Sequence, residues 1–568
     1  MRSLYQLFVF LGCCWIGLLQ VKAQSTPKGG IKDQEFIIQK DRIIRLPKRL
    51  RAFEKAPVLP QGKPLQITNF PVAPFFLKIP APAVAAQASP WDVQLPKSDQ
   101  YPGFVRIGYG NFLAPMIEGR YSSTQTEDWQ FATKVVHQSY GKGPVSWMGQ
   151  ESKESQTKVV GDVSYFMDQA EVFSNLSLKR AAYTFYGEDL GFSYPPNVDV
   201  VGPFFSANRQ LQGDFSVGIR DLEKVGPIGY EASVLLSGFQ DSYSVREKEL
   251  GFHATGSLRP SKELQGTIGV SLVTSDTKDR EYDLNRTYFS LQPEVNYKWN
   301  KYQFTAGAVI VADNDSLAER KSDFRLFPVL KSTYQVKEDL SIFASISGKV
   351  DRATYRSFVA ENPFLGPSEQ LLNTVTKLSF EAGVESVVSD KLFYRAGIDL
   401  RRQSNLHFYV NSAADTSRFE LVYDEKATVF RVNSSVELIL SDKYSVNTHA
   451  EVIHYGLETQ QEAWHRPTWL VRMNHRMVPT KKLILQANLQ AMGGLKARGI
   501  GGLYTLPVQV EVIKLPVLLD LHLHVDYALT SRLTVFANGH NLLNRSNSRW
   551  MNYPVRGTQG LGGLSFKF

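Results

Sequence analysis

The chain has 568 residues, 43% of them apolar and 21% charged, with a formal net charge of +9. That balance excludes a disordered polymer, and so small a charge over so long a chain is no nucleic-acid footprint. The length would suit three or four ordinary domains, yet the patterning below points to one large architecture.

Residues 1–23 read as a secretory signal peptide: Arg2 gives the positive start, an apolar run spans 8–19, and Val21 and Ala23 give small-residue cleavage positions. Both cysteines, Cys13 and Cys14, lie in that run, so cleavage after Ala23 removes every thiol, disulfide and Cys-based metal site. After residue 23 no apolar run reaches the roughly 18 residues of a helical span. An exported chain of this kind is either soluble outside the cytoplasm or a β-barrel.

Residues 24–102 hold 12 of the 28 prolines. Each proline removes a backbone donor and biases its predecessor toward extended backbone, so this stretch is expected to be an extended Pro-rich periplasmic arm, a possible occupant of a barrel lumen. Within it, residues 35–46 have strand-like composition and would either add to a sheet edge or form a solvated basic leader.

From Gly103 to Phe568 the chain alternates with period two. Leu519, Leu521, Leu523, Val525, Tyr527 and Leu529 share one face, with Asp520, His522, His524 and Asp526 on the other. Phe289, Leu291, Val295, Tyr297 and Trp299 alternate in the same way with Gln292, Glu294, Asn296 and Lys298. These runs are longer than soluble strands and match the roughly 9–11 residues of a tilted transmembrane β-strand. Short turns at 224–227, 260–263, 300–301, 337–339, 389–391, 441–443, 479–481 and 530–532, with two more near Glu127 and Gln169, alternate with long polar loops at 140–157, 188–208, 351–372, 494–515 and 544–558. Ten short turns with both chain ends on one side give an all-β, antiparallel transmembrane barrel of about 22 strands in residues 103–568. Pro293 and Pro328 fall inside strands read as central, which counts against that reading unless they sit at tolerated bulges. Trp299, Tyr302, Tyr394 and Tyr444, beside short turns, suit an interfacial aromatic girdle. At the C-terminus Leu564, Phe566 and Phe568 share one face against Ser565 and Lys567.

The last of these residues carry a family resemblance. Residues 520–568, with Asn541, Leu542, Leu543 and Asn544, then Arg549, Trp550, Met551, Asn552, Tyr553 and Pro554, and the closing Phe568, resemble the C-terminal strands of TonB-dependent receptors. The run from Gly103 to Asn111, with Arg45, Leu46, Pro47 and Lys48 upstream, resembles plug-poor, TonB-dependent-receptor-like barrels of Bacteroidetes. The resemblance implies the cell outer membrane of a Gram-negative bacterium, lipid contact all round, a receptor or transport role, and possible TonB coupling through a periplasmic partner. The family's globular plug of about 120–150 residues does not fit the 79 residues between signal peptide and first strand, and a barrel of this size needs an occupant. The arm, the loops and a partner subunit are the candidates.

A three-residue turn at 530–532 sets His522 opposite His540 and His524 opposite Asn538, with Asp520 and Asp526 on the same face. Imidazoles on adjacent strands with carboxylates behind them could ligate a divalent metal; the plainer reading is an ordinary polar lumen wall with no metal and no cofactor. Rows such as Arg472, Asn474 and Arg476, or Arg395, Asp399 and Arg401, would either select an anionic solute or brace the wall. No nucleophile elbow, zinc helix or glycine fingerprint occurs, so no enzyme is expected. Two functions compete: a transporter or receptor barrel for an unknown solute or polymer, and a non-transporting scaffold that docks partner proteins of the envelope.

Overall fold

The computed structural model describes residues 101–568 except 124–127, 148–149, 188–205, 223–225, 315–321, 390, 414, 502–508 and 546–547. The expected signal peptide, residues 1–23, and all but the end of the expected arm, residues 24–102, lie outside the described residues.

Among the described residues, 22 strands join into one antiparallel sheet, from Gly103–Gly110 to Gln559–Lys567. These two end strands pair with each other, with Val105 opposite Phe566 and Ile107 opposite Leu564, so the sheet closes into a barrel. Closure is what hydrocarbon demands, because it gives each strand a neighbour on both sides and leaves no edge. The long alternating runs form the longest strands, Asp283–Trp299 with 17 residues among them. Val295, Tyr297 and Trp299 are 45–56% exposed and point outward to lipid, while Glu294 and Asn296 face the lumen. The C-terminal strand follows the same rule, with Leu564, Phe566 and Phe568 outward.

Among the described residues, the expected short turns fall at one end, for example between Tyr302 and its partner Trp299 and between Tyr444 and its partner Ser441. Trp299, Tyr302 and Tyr334 stack there as a girdle segment, at centroid separations of 6.0 and 4.6 Å. The expected long loops fall at the other end, which is the extracellular one in this class. Two further long connections there, 405–426 and 457–468, are absent from the sequence expectation; the first contains a hairpin of Leu406–Asn411 with Phe419–Asp424. Connections 111–113, 242–245 and 279–282 at this end are as short as the inner turns, so the asymmetry is partial.

Neither proline marks a bulge. Pairing on both sides of Pro293 keeps one register, Leu291 opposite Ile310 and Glu294 opposite Gly307, and only the two intervening pairs are lost. Gly307 closes that gap, because a Cβ there would lie 2.3 Å from the Pro293 carbonyl. Pro328 sits beyond the end of its ladder with Leu340–Asp351, which starts at Leu330, so its missing N–H costs the wall nothing there.

Candidate functional site

The lumen wall is polar and cross-linked by charge. Arg220 meets Glu171 at 2.7 Å, Lys134 meets Glu118 at 2.9 Å, and Arg106 meets Asp526 at 3.3 Å, all between inward side chains of different strands. Arg395 pairs with Glu381 and Glu385 at 3.0 and 3.4 Å, and Arg401 with Asp399 at 2.7 Å. Arg395 therefore ties its strand to the neighbouring one, while Arg401 pairs with Asp399 along its own strand.

The remaining nominated residues gather on one arc. On the strands Tyr444–Gly456, Trp469–Thr480, Leu483–Gly493, Leu518–Ala528 and Leu533–His540, register builds three inward rows. Asn447, Asn474, Asn488 and His522 form one, Ser445, Arg476, Gln486 and His524 the next, and His449, Arg472, Gln490 and Asp520 the third. His524 lies opposite Asn538, the register that the turn at 530–532 predicts. His522 Nδ1 sits 2.5 Å from His540 Nδ1, one ring donating to the other, and His522 Nε2–H donates to Asp520 at 2.8 Å. His524 contacts Asn538 through Nδ1 and Asp526 through Nε2, the latter at 2.9 Å, and Asp526 passes the chain on to Arg106. Both carboxylates are thus turned onto imidazole nitrogens, and among the described residues no three His, Cys, Asp or Glu side chains are arranged to hold a metal ion. Arg472 and Arg476 make no ion pair within 4.0 Å among the described residues, although the Glu451 carboxylate lies near enough to Arg472 to act on its charge.

The extracellular mouth is filled by loops. Residues 352–373, expected to be a polar loop, instead supply an apolar core: Tyr355, Phe358, Val359, Phe364, Leu365 and Leu371 are at most 5% exposed. A short helix, α1 (Tyr355–Glu361), starts where Thr354 accepts from the Ser357 N–H and Ser357 accepts from the Thr354 N–H, a reciprocal cap. Its first turn is seated on wall carboxylates. Arg356 reaches Asp214 at 2.5 Å and Glu249 at 2.6 Å, the Tyr355 N–H donates to Glu247 at 2.8 Å, and Arg352 also pairs with Glu249. Asp214 is midway along Ser206–Asp221, so this loop descends into the lumen. Arg286 from the wall and Tyr282 from the adjoining connection donate to carbonyls of the loop. Other loops complete the packing, with Phe364 stacked on Tyr553 at 3.6 Å and Trp550 against Tyr409 and Phe419.

Within this cap a polar knot ties α1 to the hairpin and to residues 457–468. His407 contacts Glu361 at 2.9 Å, Tyr409 donates to Glu361 at 3.2 Å, and Arg466 donates to the His407 carbonyl at 2.9 Å. Burial would raise the Glu361 carboxyl, but Arg466 and His407 more than offset it and hold it well below the usual range. Burial, reinforced by Arg549, pushes His465 down to about 3. Burial drives Glu369 up to about 8 against the hydrogen bond it accepts from the Leu421 N–H at 2.7 Å. The sequence carried one overlooked signal for this cap, the aromatic density of residues 355–364 and 550–553 in segments expected to be solvated.

No family model matches the chain, and no curated protein matches it in sequence. Solved structures do match its fold. The FrpB iron transporter from Neisseria meningitidis (F3-3 variant) aligns with a TM-score of 0.63 at 10% identity, over 82% of this chain and 81% of that one. The ferric enterobactin receptor PfeA from Pseudomonas aeruginosa, in complex with BCV-L6, gives 0.58 at 13% identity over 82% and 81%. The siderophore receptor PirA from the same organism gives 0.56 at 11% identity over 82% and 79%. The chain is an outer-membrane β-barrel. Its likeness to these receptors is one of fold.

Proposed function

We propose that the barrel is an outer-membrane receptor of the TonB-dependent type, of the plug-poor Bacteroidetes kind that its motifs resemble, which admits a solute past a movable loop cap. The observation that carries this reading is the seating of residues 352–373: a folded, aromatic cap enters the lumen and rests on Asp214, Glu247 and Glu249 through two arginines. Such a contact can be exchanged for water or ligand, whereas a covalent or strand-paired closure cannot. The arc holding Arg472, Arg476, Asn474 and the histidines supports an anionic, oxygen-rich solute, the class to which a ferric siderophore belongs, and the fold neighbours include an iron transporter and siderophore receptors. A periplasmic TonB-like partner would engage the arm at residues 24–102. No catalytic step belongs to this reading.

Planar-bilayer conductance tests it with three proteins: the full chain, a chain lacking residues 24–100, and a chain in which residues 354–371 are replaced by a short Gly-Ser linker. The first two are expected to stay closed at rest and the third to show large steady openings. A closed third protein would remove the gate and leave the scaffold role in its place.

A further inference from the structure

The lipid-facing wall carries a notch outside anything used above. Register sets Leu178 opposite Gly213, Gly213 opposite Gly238, and Gly238 opposite Lys248 on four neighbouring strands. Leu178, Leu211, Leu236 and Leu250 are 44–51% exposed, so this face of each strand points outward. Two adjacent glycines delete the side-chain layer. A Cβ on Gly238 would meet nothing within 4 Å, and one on Gly213 only the tip of Leu178 at 3.3 Å. Neither has a positive φ, so the backbone does not require glycine here; glycine inside a strand often marks close approach by a ligand. The result is an outer groove of about 670 Å³, apolar on one side through Leu178, Phe215, Leu236 and Leu250, and bordered on the other by Lys248, Asp276, Thr274 and Asn285.

On the same face, Arg180 and Arg246 stand one step toward the extracellular end from the glycines and Arg209 a further step beyond, while Lys248 lies level with Gly238; all four are exposed. None of the four makes an ion pair within 4.0 Å among the described residues. The carboxylates nearby on this face are Asp276, opposite Lys248, and Asp283, which Lys278 occupies at 2.7 Å. From Arg180 to Lys248 is three inter-strand steps, about 14 Å. A groove apolar on one side, in the bilayer half nearest the loops and rimmed by four cations over that width, complements a broad headgroup with more than one phosphate.

We propose that this groove binds a phosphorylated glycolipid of the outer leaflet, one acyl chain lying over Gly213 and Gly238 and its phosphates accepting from Arg180, Arg209, Arg246 and Lys248. Arginine forks suit phosphate oxygens, and the low-dielectric surroundings strengthen each contact.

The test uses the full chain in detergent, with native mass spectrometry to count retained bis-phosphorylated lipid A. Retention is expected to exceed that of the same lipid dephosphorylated by about tenfold, or about 1.4 kcal/mol. Replacing the four cations by glutamine should abolish the difference. Gly213→Leu with Gly238→Leu keeps every charge but fills the groove, and should lower retention of both lipids. Heat-shifted gel mobility reports the folding of each variant separately, and the charge and groove variants decide independently. Equal retention of the dephosphorylated lipid, wild-type binding by either folded variant, or complete displacement by millimolar inorganic phosphate overturns the proposal.

Discussion

Arg356 holds three wall carboxylates at once, with Glu247 and Glu249 nearly inaccessible behind it. Removing one partner of such a buried set strands the rest, which costs about 3–5 kcal/mol. Arg356→Ala should therefore destabilise the seated cap by about 3 kcal/mol, seen as frequent openings in bilayer recordings while the barrel stays folded. The polar knot above it sets a pH window. His465 has a folded value of about 3 against an ordinary 6.5, so the unseated cap binds a proton first and stability is lost as pH falls below 6.5. Glu361, depressed from 4.5, adds to the same acid limb as pH drops toward its folded value. Glu369 runs the other way: raised from 4.5 to about 8, it holds its proton only when seated, so stability falls as pH climbs from 4.5 through 8. The His465 and Glu369 slopes cancel between 4.5 and 6.5, where the cap should be tightest. Hydrogen exchange of peptides from residues 352–373 across pH 3.5–8.5 should show a minimum there, and Glu369→Gln should erase the alkaline rise alone.

At the scale of elements, the seam decides whether a sheet becomes a barrel. Gly563 faces the Ile107 carbonyl so closely that a Cβ would sit 2.1 Å from it. Gly563→Val should cost about 1–3 kcal/mol through overpacking, read as a lower temperature for the heat-induced gel shift. The two end strands carry little sequence between them, yet their pairing removes both edges at once. The turn at 530–532 shows how much a short connection conveys: its length alone places His524 against Asn538. Loops carry no such rule. The hairpin Leu406–Asn411 with Phe419–Asp424 carries on the register of the wall strands Leu392–Ser404 and Ala427–Ser441, and burial of Phe408, Tyr409, Val410 and Phe419 makes it part of the cap.

At the scale of the molecule, both signs of charge alternate around the lumen and mostly pair, so an uncapped barrel should discriminate poorly between anions and cations. Arg472 and Arg476 are the exception on their arc. In the uncapped protein, Arg472→Ala with Arg476→Ala should shift the permeability ratio toward cations by about twofold; an unchanged ratio would remove this arc as the source of anion preference.

Period-two alternation, short turns and a terminal aromatic strand were enough to read the barrel and its strand number. These are local properties: a pleat has two faces, hydrocarbon tolerates only one kind of side chain, and turn length fixes register between neighbours. What the tertiary structure alone decided is non-local. That Arg472 and Arg476 share an arc with His522 follows from the order of strands around a closed wall. That residues 352–373 descend to Asp214, while Tyr409, Phe419, Trp550 and Tyr553 close over them, depends on packing between loops far apart in the chain, and no periodicity records it.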